Sequence, residues 1–520
     1  MNGVIEIFVG LLLAVAVLAL VARKLHIPYP ILFLIGGLLI GLIPKLPKVR
    51  LDPELVFLFF LPPLLFPAAL FTSWRDFRAN LRPISLLAVG LVLFTTVIVA
   101  WLAHYFMKLP LAAGFVLGAI ISPPDAIAAT AIAERLNIPR RIVTILEGES
   151  LVNDATALVA YRFAVTAVVT GSFSLLGASA QFFIVGIGGI LIGLAVGWLA
   201  VWFHKRVDDP PIEITVSLLT PFVAYLPAER LGVSGVLAVV TAGLYLGRRM
   251  PEILTFKTRL QGGPVWEMVE FLLNGFVFIL IGLQLPEVLK GLPESDYSFG
   301  KLVDYALFIS LAAIIIRMLW VFPSAFLPRL LFKKIREKDP YPSWRHVTII
   351  GWTGMRGVVS LAAALALPLN FPERDLILFL TFMVILATLV LQGLSLPLLI
   401  RWLGVEDDGA ARKEELEARL KANRAALNHL NKIAERDPAK ADALQRLRIE
   451  YEDHIRQVEG DEPKNAGTPL RRFSSEYERL SLAALQEERK TILQLRNESV
   501  ISDEVLRRIQ RDIDLAEIRL

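Results

Sequence analysis

Apolar residues in this chain run in long stretches, and polar residues collect between them. Thirteen such stretches cover residues 4 to 21, 27 to 43, 54 to 71, 84 to 107, 111 to 133, 142 to 169, 181 to 203, 213 to 229, 231 to 247, 266 to 285, 303 to 323, 346 to 368 and 375 to 402. A helix rising 1.5 Å per residue needs about 20 apolar residues to cross some 30 Å of lipid hydrocarbon. The pattern therefore predicts an all-α polytopic membrane protein of about 13 transmembrane helices. The first stretch follows Met1-Asn2-Gly3-Val4-Ile5-Glu6, which lacks a basic leader, so it reads as a retained span.

The pattern changes near residue 404. Of 103 acidic and basic side chains in the chain, 47 fall in residues 405–520. Apolar positions there recur at helical spacing: Leu444, Leu447, Tyr451, Ile455 and Val458 follow Asp437-Pro438, and Val505, Ile509, Ile513, Ala516 and Leu520 follow Ser502. This predicts two parts, a transmembrane domain over 1–404 and a helical cytoplasmic C-terminal tail over 405–520.

Composition sharpens this. With 55% hydrophobic and only 20% charged residues, and a mean hydropathy of +0.58, an ordinary soluble domain is excluded. The absence of cysteine removes disulfides and thiolate chemistry, and the net charge of +5 does not indicate nucleic-acid binding, because the basic residues sit in short loops. Loops on the side that follows the first span carry 20 Lys and Arg, those on the other side 8. The heavier side is expected to be cytoplasmic, which puts the N-terminus outside and the tail inside.

Thirteen spans allow two inverted repeats of six, pairing spans one to six with eight to thirteen. Two interrupted spans correspond under that shift of seven. The fifth contains Ser122-Pro123-Pro124-Asp125 and the twelfth Gly351-Trp352-Thr353-Gly354-Met355-Arg356-Gly357. Tandem proline removes helix donors and clustered glycine weakens helix, so both should be broken helices that cross beside a cavity.

The sixth span carries Gly148-Glu149-Ser150-Leu151-Val152-Asn153-Asp154. Asp154 lies near its midpoint, where a charge costs about 2.5 to 3.5 kcal/mol to insert and is normally kept for ion or proton handling. Ser150 lies four residues before it, and Glu149 four before Asn153, so two polar stripes adjoin on one face. A carboxylate removed from water needs a proton or a cation beside it, and one site with two competing ligands suffices for exchange. Oxygen ligands suit alkali cations, with nothing soft for copper or zinc.

At GESLVND, with SPPDA before it and GWTGMRG after it, the chain resembles the monovalent cation:proton antiporter family of sodium/proton exchangers. LPPLLF in span three, FLLNGFVFILIGLQLP in span ten and the tail resemble its bacterial electroneutral branch. The resemblance implies dimerisation spans over 4–71 and 213–285, a moving core over 84–169 and 303–402, a homodimer in the plasma membrane, and no cofactor beyond the transported Na+ or Li+ and H+. It implies that Asp154 binds cation or proton, with Ser150, Asp125 and the carbonyl of Pro124 as further Na+ ligands. Glu149 would pair with Arg317 and hydrogen-bond Asn153, orienting the site, and Arg356 would compensate the ends of the broken helices. Asn153 before Asp154, rather than a second aspartate, resembles the electroneutral exchangers. Two positions depart from the pattern: Pro67 stands where relatives often carry an acid, and Pro124-Asp125-Ala126 replaces an Asp-Pro order.

Other readings of these residues stay open at this point. Asp125 could serve only as counter-charge for helix ends, Arg317 could snorkel to the interface, and Arg356 could touch the ion. Glu147 fits ion attraction or a funnel lining, and Arg162 has no assigned role. For function, K+/H+ exchange is the alternative on the same machinery. A cation channel lacks a repeated filter loop here. An aspartyl protease using Asp125 and Asp154 lacks the expected glycine-rich signature, so no enzyme is expected.

Overall fold

The computed structural model describes residues 2–43, 53–136, 138–171, 175–254, 256–291, 298–407 and 409. Residues through Asp407 form one compact unit. The helices predicted over 405–520 lie outside the described residues beyond that point.

The described residues form helices only: α1 Asn2–Leu25, α2 Tyr29–Gly41, α3 Pro53–Phe71, α4 Trp74–Ala79, α5 Leu81–Met107, α6 Leu111–Ile121, α7 Ile127–Arg135, α8 Arg140–Thr170 and α9 Leu175–His204. There follow α10 Pro210–Arg230, α11 Gly235–Ile253, α12 Phe256–Gly291, α13 Phe299–Leu331, α14 Lys333–Lys338, α15 Trp344–Trp352, α16 Val358–Leu365 and α17 Arg374–Leu403. Each predicted stretch coincides with one of these helices or with a broken pair. Among the described residues, nine helices are long and apolar enough to cross a membrane. The remaining four stretches miss that standard for visible reasons. The helix α2 has only 13 residues, α11 carries the charges Arg248, Arg249 and Glu252 before its end at Ile253, and two stretches are interrupted.

The interruptions fall at the predicted motifs. Pro123 and Pro124 offer no backbone donor, so α6 stops and the chain stays unwound to Ala126 before α7 begins. The second gap separates α15 from α16 over Thr353 to Gly357. The gaps meet: the Asp125 N–H donates to the Met355 carbonyl at 2.7 Å. The helix α8 packs against α6 on one side of this junction, while α16 packs on α17.

Two local devices hold the helices around it. Asp339, in the turn after α14, accepts from Arg82 of α5 at 2.5 Å, Arg141 of α8 at 2.7 Å and Arg329 of α13 at 2.6 Å. One carboxylate thus gathers the ends of three helices. Elsewhere α2 and α12 lie backbone to backbone. A Cβ on Gly37 would run into the Ile279 carbonyl, and one on Gly282 into the Leu34 carbonyl.

Candidate functional site

A cavity of about 650 Å³ reaches the junction of the two broken helices. Asp154 and Ser150 of α8, Asp125 and the Pro124 segment of the first gap, and Gly357 of the second all line it. On α8 the lining residues are Glu147, Ser150, Leu151 and Asp154, and none beyond Asp154. The helices α2 and α12 also contribute their N-terminal portions, and α3 its C-terminal portion. The cavity therefore opens on a single face, with Glu147, Glu267 and Glu270 toward its mouth. A cavity of similar size, about 690 Å³, lies between the ends of α3, α9, α10, α11 and α12 and holds none of these site residues.

Asp154 is only 7% exposed, and that exposure is toward the cavity. Among the described residues no donor reaches its carboxylate. Asp125 is differently placed. Its Oδ1 accepts from the Ile127 N–H at 2.9 Å, at the start of α7, and its other oxygen lies against Gly357, just ahead of α16. The carboxylate thus faces the N-terminal ends of two half-helices, where the helix dipole favours negative charge. Gly357 leaves room for this contact, since a Cβ there would occupy the position of the Asp125 carboxylate. We expect Gly357→Ala to displace Asp125 and lower cation affinity by about tenfold or more, about 1.4 kcal/mol; unchanged cation dependence of transport would refute that contact as a determinant.

Behind the cavity wall is a buried polar cluster. Arg317 forks onto Glu149, Nη1 to Oε1 at 2.5 Å and Nη2 to Oε2 at 2.8 Å, with both side chains at most 2% exposed. Arg317 also donates to the Ile350 carbonyl from Nε at 3.2 Å and Nη2 at 3.0 Å. It does not snorkel: α13 continues to Leu331, which leaves Arg317 in mid-helix. The expected hydrogen bond between Glu149 and Asn153 is absent. Asn153 instead donates from Nδ2 to the Pro124 carbonyl at 2.7 Å. The reason is local, because the Arg317 fork occupies both Glu149 oxygens while the unwound chain leaves the Pro124 carbonyl in need of a donor. Arg356, 1% exposed, donates from Nε to the Ile121 carbonyl at 2.9 Å and from Nη1 to the Gly354 carbonyl, at the ends of α6 and α15.

Residues 10–402 match the family profile described as sodium/hydrogen exchanger, transmembrane. The chain belongs to that family. It is 36% identical to a protein of Mycobacterium tuberculosis named as a Na(+)/H(+) exchanger, over 99% of this chain and 96% of that one. It is 36% identical to the sodium, potassium, lithium and rubidium/H(+) antiporter of Bacillus pumilus, over 82% and 67%, and 34% identical to the Na(+)/H(+) antiporter ApNhaP of Aphanothece halophytica, over 88% and 84%. In fold it is similar to the sodium proton antiporter MjNhaP1 of Methanocaldococcus jannaschii, with a TM-score of 0.62 at 21% identity, covering 78% of this chain and 99% of the other. The protein is a cation/proton antiporter, not an enzyme.

In this antiporter Asp154, Asp125, Ser150 and Pro124 come together at one cavity, while Asn153, Glu149, Arg317 and Arg356 stand behind it. Sequence reading missed Thr130, Asn274 and Ser360, which also line the cavity, as do Glu267 and Glu270. The Asn274 Oδ1 and Ser360 Oγ atoms are buried without a hydrogen-bond partner. Glu267, Glu270 and Asn274 recur at three and four residues, a helical face that marks them as a set. Hydropathy hid them, since apart from these and Gln284 the stretch from 266 to 285 is apolar.

Proposed function

We propose that this antiporter exchanges Na+ or Li+ for H+ with no net charge moved, by alternating access at Asp154. The observation that carries this reading is the Asp154 carboxylate at the cavity end, with no hydrogen-bond donor on it among the described residues and with Asn153, not a second acid, before it on α8. A carboxylate holding H+ and the same carboxylate holding Na+ carry equal charge, so a swap of one for the other leaves the moving site electrically unchanged. Asp125, Ser150 and the second lone pair of the Pro124 carbonyl supply oxygens for a dehydrated cation. Glu149, Arg317 and Asn153 orient α8 against the first gap, and Arg356 offsets the carbonyl ends of α6 and α15.

The same reading takes spans over 84–169 and 303–402 as the moving core and those over 4–71 and 213–285 as the dimerisation part, arranged as thirteen crossings in two inverted repeats. It places the N-terminus outside, the tail in the cytoplasm, and the cavity mouth on the cytoplasmic side of the plasma membrane.

A second cation is favoured by one comparison, because the Bacillus pumilus relative is named for potassium and rubidium as well. The test uses purified protein in sealed vesicles with an imposed pH gradient, adding Na+, Li+, K+ and Rb+ separately. We expect Na+ or Li+ to collapse the gradient at a rate indifferent to a clamped membrane voltage. The apparent KM should rise as pH falls, approaching about tenfold per pH unit where protons fill the site. Voltage-dependent exchange would refute electroneutrality, and a response to K+ alone would transfer the assignment to potassium.

A further inference from the structure

Arg162 lies two turns beyond Asp154 on α8, about 12 Å further along the helix axis. The cavity does not extend that way. Past Asp154 the space is filled by apolar packing, in which Leu158 and Phe57 lie against a cluster containing Leu61, Leu65 and Ala155. At the rim of this closed side Arg162 Nη2 meets Glu229 Oε2 at 2.6 Å. Glu229 stands in the last turn of α10, and its Oε1 accepts the N–H of Gly235, the first residue of α11, at 3.2 Å. The Gly235 backbone lies so near the Tyr225 ring that a Cβ would stand 2.7 Å from it. The glutamate is therefore held by the α10–α11 turn, and the arginine by the helix that carries the ion site.

We propose that Arg162 and Glu229 form a latch across the closed face, an ion pair that must separate before Asp154 can be reached from that side. The inference rests on the alternating-access reading above and assigns that cycle a positioning pair. The arginine rides with the site, while the glutamate belongs to the helices against which the site moves. The pair is half exposed, with side chains at 50% and 26%, so its bias is modest, on the order of threefold between the two orientations. A modest bias suits a pair that has to open in every turnover.

The chain has no cysteine, so one thiol reports without background. Leu158→Cys places it in the apolar seal. The probe is a membrane-impermeant maleimide applied from the Glu229 side of oriented vesicles. With Arg162→Gln or Glu229→Gln added, we expect labelling about threefold faster and an apparent KM for Na+ from that side about threefold lower, at little cost in folded yield. The swapped pair, Arg162→Glu with Glu229→Arg, should restore both. In a second measurement, Arg162→Cys and Glu229→Cys bridged by a short reducible bifunctional thiol reagent should stop exchange until reduced. Unchanged labelling, a swap that fails to restore it, or exchange that continues through the bridge would overturn the latch. Labelling requires no transport, so a shift seen in protein that exchanges nothing would uphold the latch and sink the transport reading. Normal exchange with no shift would do the reverse.

Discussion

Asp154→Asn is expected to abolish cation-driven proton movement while the protein remains folded and purifies as the native chain does. The substitution keeps the shape of the side chain and removes the group that can hold either a proton or a cation. Nothing else is disturbed, since among the described residues the carboxylate accepts no hydrogen bond that the amide would lose. The cavity offers no substitute. Asp125 faces the ends of α7 and α16, and Glu147, Glu267 and Glu270 lie toward the mouth. Exchange should therefore fall to the level of protein-free vesicles rather than decline by a few-fold. Parallel gradient-collapse traces of native and variant protein decide this, and retained sodium-driven proton flux in Asp154→Asn would remove the residue from its assigned role.

The second large effect is on stability. Glu149→Gln should lower stability by about 3 to 5 kcal/mol, because it strands a buried guanidinium that has lost its countercharge. The geometry argues for the upper part of that range. Both Glu149 oxygens are engaged at 2.5 and 2.8 Å, and the pair sits at the centre of α8, α13 and α15 where water cannot replace the missing partner. Part of the loss should be recoverable. Replacing both residues with apolar ones of similar volume removes the unpaired charge, although the Ile350 carbonyl would then lose its Arg317 donors. A melting curve of detergent-solubilised protein separates the cases, and a single variant that melts with the native chain would show the pair to be dispensable.

These two residues also show how much the sequence disclosed. Asp154 stands out because a carboxylate amid apolar residues has a known insertion cost, and its spacing from Ser150 is fixed by helical geometry. Proline pairs and glycine clusters mark where a helix cannot continue, so the gaps at 122–126 and 353–357 are legible in the sequence itself. The destination of the Asn153 amide was not. It depends on which acceptor is left over once Arg317 takes Glu149, and that requires α13, the first gap and α8 to be placed together. The extent of α13 past residue 323 was hidden for a related reason. Pro323 and Pro328 look like terminators, yet the helix runs through both to Leu331. Arg317 thereby changes from a residue near an end to one in the middle.

Asp125 is a case where two readings of one residue cease to compete. It lines the cavity and also faces two helix N-termini, so its charge is partly answered before a cation arrives. In the exchange proposed above, that leaves Asp154 as the carboxylate whose charge is open to either ligand, which is what a one-for-one exchange requires.

The acidic mouth has a kinetic consequence. Glu267 and Glu270 lie on α12, which Gly37 and Gly282 hold directly on α2, whereas Glu147 sits on α8 with Asp154. In the proposed cycle α8 moves between the two sides of the membrane while α12 stays still, so the site leaves two of its three acids behind each time it turns. The two faces should then differ in their apparent affinity for the cation, tighter where the acids stand, while the gradients of cation and proton alone set the direction of net exchange.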